Sequence, residues 1–257
     1  MKIHNLTEDI NNIEYDKFQK HINGDFSQAY ERALQKDFIF KGFDSLSNID
    51  PESDNIYYGT PVKNRESRNT YNYYTLWINN HSDWSEFPHR NVICSNNRKT
   101  AMDYGEEGMG VTCVLLPKND TKIGVVPKPD IWEVFQNFNL EEDDIVILIK
   151  DILELKGYTA KPNFQEFEKS IKNINYDEEI KNHIERDQWI DDAFIHLLKE
   201  KETLYNFIQY WFSPTENGFD LKSVKDTPFS QSGNNNELWF DNDFIAIPLD
   251  YIKKYIN

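Results

Sequence analysis

The chain lacks what several large protein classes require. It has only two cysteines in 257 residues, Cys94 and Cys113. They do not form a CxxC, so neither a disulfide framework nor paired zinc-ligand spacing organises the fold. No stretch approaches the ~18 consecutive apolar residues of a membrane-spanning helix. The start, Met1-Lys2-Ile3-His4-Asn5, has no apolar core of the signal-peptide kind. A reduced, cytoplasmic protein with no membrane partner is therefore expected. Phosphate-binding glycine loops are missing: neither GxxxxGK[ST] nor GxGxxG after a strand occurs. HExxH and the GxSxG elbow are absent too. The six histidines are scattered, so no metal centre is expected. Positive charge is scarce: 28 Lys and Arg face 44 Asp and Glu, a net charge of −16. That argues against a surface basic enough for non-specific nucleic-acid binding.

Aromatic residues, in contrast, make up 14% of the chain although hydrophobic residues reach only 39%. Each buried ring removes on the order of 150–250 Å² from water, so a folded domain with an acidic skin is expected. The charge is uneven. Residues 139–212 hold 17 acidic and 9 basic residues, a balance of −8. Residues 61–100 hold six basic and three acidic residues, a balance of +3. A basic island in an acidic chain suits an anionic ligand; chance variation along the chain is the plainer reading.

Apolar periodicity predicts a helix over 13–35 interrupted near Gly24, and a strand at 37–42. A polar loop follows at 43–64, then a helix over 70–80 capped by Asn69 or Thr70. A strand at 91–95 leads to a short helix at 98–104 closed by Gly105. Strands at 111–116 and 121–126 flank a turn, and Pro129 opens a helix. Three acidic helical stretches fill 141–212, a polar loop covers 213–236, strands lie at 237–240 and 244–247, and a helix closes the chain at 249–256. Strands and helices are segregated, so the class is α+β. The chain reads as a single domain over 1–257 with an acidic helical insertion at about 139–226.

The densest polar cluster runs from Arg65 through Ser67, Asn69 and Tyr73 to Thr75, at a helix entry. Arginine grips phosphate as a fork, a helix N-terminus favours anions, and tyrosines offer flat faces. A capped helix with a solvated start explains the same residues. The order of motifs adds to this. Arg65-Glu66-Ser67-Arg68-Asn69-Thr70-Tyr71-Asn72 is followed by Pro88-His89-Arg90 before a strand ending in Ser95. Then come Ala101-Met102-Asp103-Tyr104-Gly105 and a late Glu237. This series resembles a group of bacterial and phage proteins similar to ADP-ribosyltransferases, chiefly over 65–132 with a weaker echo at 237–240.

The resemblance implies a split, mixed β-sheet whose cleft grips NAD. It implies that Arg65 anchors a phosphate or ribose, with Ser67, Asn69 and Arg90 in the same binding set. Ser95 would brace the nicotinamide ribose and the catalytic carboxylate, and Tyr73 or Tyr104 would stack on the nicotinamide. Glu237 would be that carboxylate. Lys41, before Gly42, stands where many members carry arginine, and it holds phosphate as a point charge only. Asn235 stands where arginine-modifying members carry Glu or Gln. The implied activity is mono-ADP-ribosyl transfer to a protein or nucleic acid, in a toxin, phage-defence or phage-encoded host-modifying setting with an antitoxin as the expected partner. The alternative is a non-catalytic interaction protein whose acidic helices bind a basic partner, although such charge usually marks a solvated face.

Overall fold

The computed structural model describes residues 8–43, 54–62, 73–104, 110–135, 144–159, 163–184, 192–226, 229 and 235–256. In chain order the elements begin with β1 (Glu8–Asn12), α1 (Tyr15–Ile22), α2 (Ser27–Leu34), β2 (Ile39–Phe43) and β3 (Tyr57–Pro61). Next come α3 (Tyr73–Ile78), β4 (Val92–Ser95), α4 (Arg98–Tyr104), β5 (Val111–Pro117) and β6 (Lys122–Val125). The helices α5 (Ile131–Val134), α6 (Asp144–Leu155), α7 (Phe164–Lys172), α8 (Glu178–Ile184), α9 (Asp192–Lys201) and α10 (Leu204–Trp211) follow. The chain closes with β7 (Asp220–Ser223), β8 (Glu237–Phe240), β9 (Phe244–Pro248) and α11 (Ile252–Tyr255).

Two compact units result. The first comprises residues 1–65, 87–130 and 219–257, and the second residues 66–86 and 131–218. The first unit is α+β, as its segregated elements predict. Its nine strands run in the order β1-β3-β9-β5-β2-β4-β8-β6-β7. Every pairing among the described residues is antiparallel, so the expected mixed sheet is corrected to an antiparallel one. Neither tight turn closes a hairpin. Around 117–121, β5 joins β2 and β9 while β6 joins β7 and β8. Around 241–243, β8 and β9 part in the same way. The chain thus alternates between a five-strand half and a four-strand half. These meet at β2 and β4, which share one paired position, Phe40↔Ser95.

The central strands β5 and β9 are almost entirely buried, which their apolar runs require. On β4 and β8 the alternation separates two faces. Val92, Cys94, Leu238 and Phe240 join the apolar core, with Phe18, Ile22 and Ala33 of α1 and α2. Ile93, Ser95, Glu237 and Trp239 take the other face. The expected 13–35 helix is two helices, broken over Asn23–Phe26. That break is clasped by Asn119, whose side-chain amide donates to the Gly24 carbonyl at 2.9 Å and whose Oδ1 accepts from Gln28 N–H at 3.0 Å.

Two strands, β3 and β7, fall where loops were expected, and β1 lies in a stretch for which no element was expected. The edge strands β1 and β7 are short and polar, so they carry no apolar signature. The third, β3, lies inside a segment rich in Asn, Asp and Ser.

The second unit is helical and packs around aromatic side chains. Trp77 is fully buried and stacks on His81 at 4.0 Å between ring centroids. The Trp84 indole donates to the Phe212 carbonyl at 2.9 Å. Lys156 ties Asp177 and Glu179 together at 2.6 Å each. Much of the acidic 139–212 stretch belongs to this unit, whose charged side chains among the described residues face outward while rows such as Leu204, Phe207, Ile208 and Trp211 point inward.

His81 is neutral in this packing. Its Nδ1 accepts the Asp83 N–H at 3.2 Å, so its Nε2 carries the proton and meets the Tyr205 hydroxyl at 3.0 Å. Burial lowers its pKa, with Asp83 and Glu168 opposing and Lys172 assisting. His21 is lowered as well, mainly by burial. The unfolded chain therefore takes these protons more readily. Stability from both rings is complete above the ordinary imidazole value of about 6.5 and is lost as the pH falls below it. The melting temperature should drop between pH 7.5 and 5.5, and His81→Gln should flatten that slope. An unchanged slope in the variant counts against this assignment.

Candidate functional site

The face of β4 and β8 turned away from the core carries the chemistry. Ser95 and Glu237 are direct partners in the β4–β8 ladder, which sets their Cβ atoms ~5 Å apart. Glu237 is 1% exposed, on an interior strand between β4 and β6. A carboxylate so placed needs compensation, and Arg90 provides it. The guanidinium donates to Glu237 Oε1 from Nη2 at 2.6 Å and from Nε at 3.1 Å. Arg90 is itself 5% exposed. Short charge-assisted bonds in a dry site are the strong kind, and they hold the carboxylate beside Ser95.

Ser95 is engaged at both ends of its hydroxyl. It donates to the Asn236 carbonyl at 3.0 Å and accepts from the Asn97 N–H at 3.0 Å. Asn97 caps α4 by accepting from Thr100 N–H at 3.1 Å. Two asparagine pairs then bind the ends of β4 and β8. Asn96 Oδ1 accepts from Asn236 N–H at 2.8 Å, and Asn97 Nδ2 donates to Asn235 Oδ1 at 2.6 Å. Asn235, the residue that departs from the Glu or Gln of arginine-modifying members, thus ties the two strand ends.

A segment without regular structure, Phe87–Arg90, packs on Trp239 and reaches Glu237 through the Arg90 side chain. The Trp239 indole donates to the Pro88 carbonyl at 2.9 Å, and Phe87 stacks on its ring at 5.9 Å and 16°. Phe219 meets the same ring edge-on. Asn91 donates to Asp241 at 2.7 Å and fixes the end next to β4. Gly124 stands across from Trp239 in the β6–β8 ladder, and a Cβ there would lie 2.2 Å from the indole. The sequence reading missed Phe87, Trp239, Gly124 and the asparagine pairs. Their one visible trace is Asn96-Asn97 and the run Asn234-Asn235-Asn236, among several adjacent asparagines in the chain.

Three of the residues expected at the site converge: Ser95, Arg90 and Glu237. Lys41 does not join them. Phe40 pairs with Ser95, so its neighbour Lys41 projects to the opposite face. There it pairs with Cys113 across the β2–β5 ladder and lies 5.3 Å over the Phe43 ring. Its Nζ donates to the Ile93 carbonyl at 3.0 Å, where the β2–β4 ladder has ended. Burial pushes the Cys113 thiol well above its ordinary range, with Lys41 opposing. Tyr73 belongs to the second unit, where it is 2% exposed and stacked on Phe167 at 5.0 Å. It serves that helical core where the sequence suggested a platform for a ligand ring. Tyr104 is the last residue of α4. Arg65, Ser67, Asn69 and Gly105 lie outside the described residues.

Among the described residues no group of three or more His, Cys, Asp or Glu side chains is placed to hold a metal ion. Among them, too, no helix is long and apolar enough to cross a membrane. Compared with protein-family models, curated proteins and solved structures, the chain matches none.

What the arrangement can do chemically follows from its charge. A fixed carboxylate in a site shielded from water stabilises a cation developing beside it. A guanidinium on the same face can pair with phosphate.

Proposed function

We propose that the chain is a mono-ADP-ribosyltransferase, taking NAD as substrate and passing ADP-ribose to a macromolecular acceptor, protein or nucleic acid. The observation that carries this reading is the pairing of Ser95 with Glu237 on one face, with Arg90 on the carboxylate. It lies beside the single shared position where the two halves of the sheet meet, in keeping with a split-sheet cleft. In the proposed reaction Glu237 accepts a hydrogen bond from the ribose 2′-hydroxyl and stabilises the oxocarbenium-like state. Nicotinamide leaves with the electron pair of its bond to C1′. The acceptor then bonds C1′ and gives up a proton. Phosphate binding falls to arginine rather than to Lys41, which faces the core side. Such an enzyme is harmful to the cell that holds it, which fits a cytoplasmic toxin, phage-defence or phage host-modifying role restrained by an antitoxin.

Labelled NAD incubated with cell lysate tests the proposal. The wild-type chain should transfer label, and Glu237→Gln should lower the rate by about 10²–10³-fold while still melting cooperatively. Absence of transfer by the wild-type chain sinks the reading.

One observation favours a second reading, a non-catalytic protein that binds a basic partner. A groove of about 480 Å³ in the helical unit has four carboxylates, Asp83, Glu200, Glu202 and Glu216, in its lining against one lysine, Lys201. NAD separates the two. At 100 times its dissociation constant it should stabilise the transferase by ~2.7 kcal/mol and leave the interaction protein unchanged.

A further inference from the structure

Glu237 cannot meet a substrate while Arg90 holds it at 1% exposure. Something must move, and the two partners differ in what they are attached to. Glu237 sits on β8, bonded to strands on both sides. Its N–H donates to the Lys128 carbonyl and its carbonyl accepts from the Val126 N–H, each at 2.9 Å. Arg90 sits on the Phe87–Arg90 segment, which belongs to no helix or strand. The segment's ties to the sheet include the Trp239 indole bond, the Phe87 ring stack and the Arg90 fork. His89, in its middle, is 59% exposed and faces Asp241 at 3.7 Å. The carboxylate is on the sheet and the arginine is on the irregular segment.

We propose that Phe87–Arg90 is a strap closed over Glu237, that Arg90 is its catch, and that a diphosphate group opens it by taking the guanidinium. This rests on the transferase reading and adds regulation to its site. The exchange is electrostatically sound. A diphosphate carries more charge than one carboxylate and matches the guanidinium fork. It binds the open state better than the closed one, and that difference is what shifts the equilibrium. The ligand that needs Glu237 thereby uncovers it, and without ligand the carboxylate stays shielded from water.

The Trp239 indole N–H reports on the strap because it is bonded to Pro88 while the strap is closed. Its hydrogen exchange is measured by NMR, with Trp239→Phe assigning the signal. The Trp84 indole, bonded to Phe212 in the helical unit, is the internal control. Sodium pyrophosphate and ADP-ribose should each speed Trp239 exchange at least ~10-fold, since an open state of such a pair is a minor population. Adenosine should not, and Trp84 should not respond. Glu237→Gln weakens the catch but keeps the receptor, so it should bind pyrophosphate ~10-fold more tightly than wild type. Arg90→Gln should show fast Trp239 exchange without ligand and no response to pyrophosphate. The Glu237→Gln and wild-type arms decide the matter if that variant fails to fold.

Unchanged Trp239 exchange in saturating pyrophosphate, or Glu237→Gln binding no more tightly, overturns the strap. Opening by pyrophosphate without any transfer from NAD keeps the strap and sinks the transferase. Transfer from NAD without opening does the reverse.

Discussion

Arg90→Ala should lower stability by about 3–5 kcal/mol, measured as a shift of the urea midpoint at constant slope. The variant leaves a carboxylate at 1% exposure with its Arg90 partner gone. Because β8 is held by β4 and β6, Glu237 reaches water only if the Phe87–Arg90 segment lifts and gives up its contacts with Trp239. The cost is that of an orphaned buried charge rather than the worth of one ion pair. Removing both charges tests this account. Arg90→Met with Glu237→Leu should recover most of the loss, since apolar replacement of a whole buried pair is often neutral or stabilising. The exposed pair Lys225–Asp120, at 3.7 Å and more than half exposed on both sides, sets the contrast. Lys225→Ala should cost no more than ~1 kcal/mol. A loss for Arg90→Ala as small as that would show that the guanidinium does not carry the site.

Gly124→Ala should be nearly as damaging, at about 3 kcal/mol or more, the upper part of the range for overpacking. The added Cβ would stand 2.2–2.6 Å from three atoms of the Trp239 indole. That ring has nowhere to go: it is fully buried, stacked on Phe87, met edge-on by Phe219 and hydrogen-bonded to Pro88. The measurement that isolates the cause is a double-mutant cycle. In a Trp239→Ala background the same Gly124→Ala change should cost little, because the obstructing ring is gone. Equal costs in both backgrounds would place the clash elsewhere. Gly59 poses the same problem against Phe244, 2.3 Å from its would-be Cβ. In both ladders a glycine lies under the ring of the residue paired with it.

Elements with a strong local signature were legible in the sequence. Val92–Ser95, Val111–Pro117 and Phe244–Pro248 were expected within a few residues, and the helices around Phe18 and Phe207 lie inside longer stretches expected to be helical. Their apolar periodicity states which face is buried, and tertiary context had nothing to override. The edge strands β1 and β7 were not legible, because an edge strand is half-solvated and reads as a polar loop. The strands around Asp241-Asn242-Asp243 were expected, but not that they lie apart in the sheet. A turn fixes where a strand ends, and long-range pairing alone fixes which strand it joins.

For the candidate site, the sequence by itself determined which groups the chain can bring to bear: a late Glu237, a strand ending in Ser95, an arginine just before that strand, and neither an HExxH nor a glycine-rich phosphate-loop motif. Those are covalent facts of composition and order. Only the tertiary structure decided their geometry. Strand alternation put Lys41 on the face opposite Ser95, although Lys41 stands next to Ser95's own ladder partner. Ladder register put Ser95 beside Glu237 across 141 residues of chain. Burial then turned Arg90 from a free cation into the partner of a carboxylate, because a charge removed from water must find its opposite.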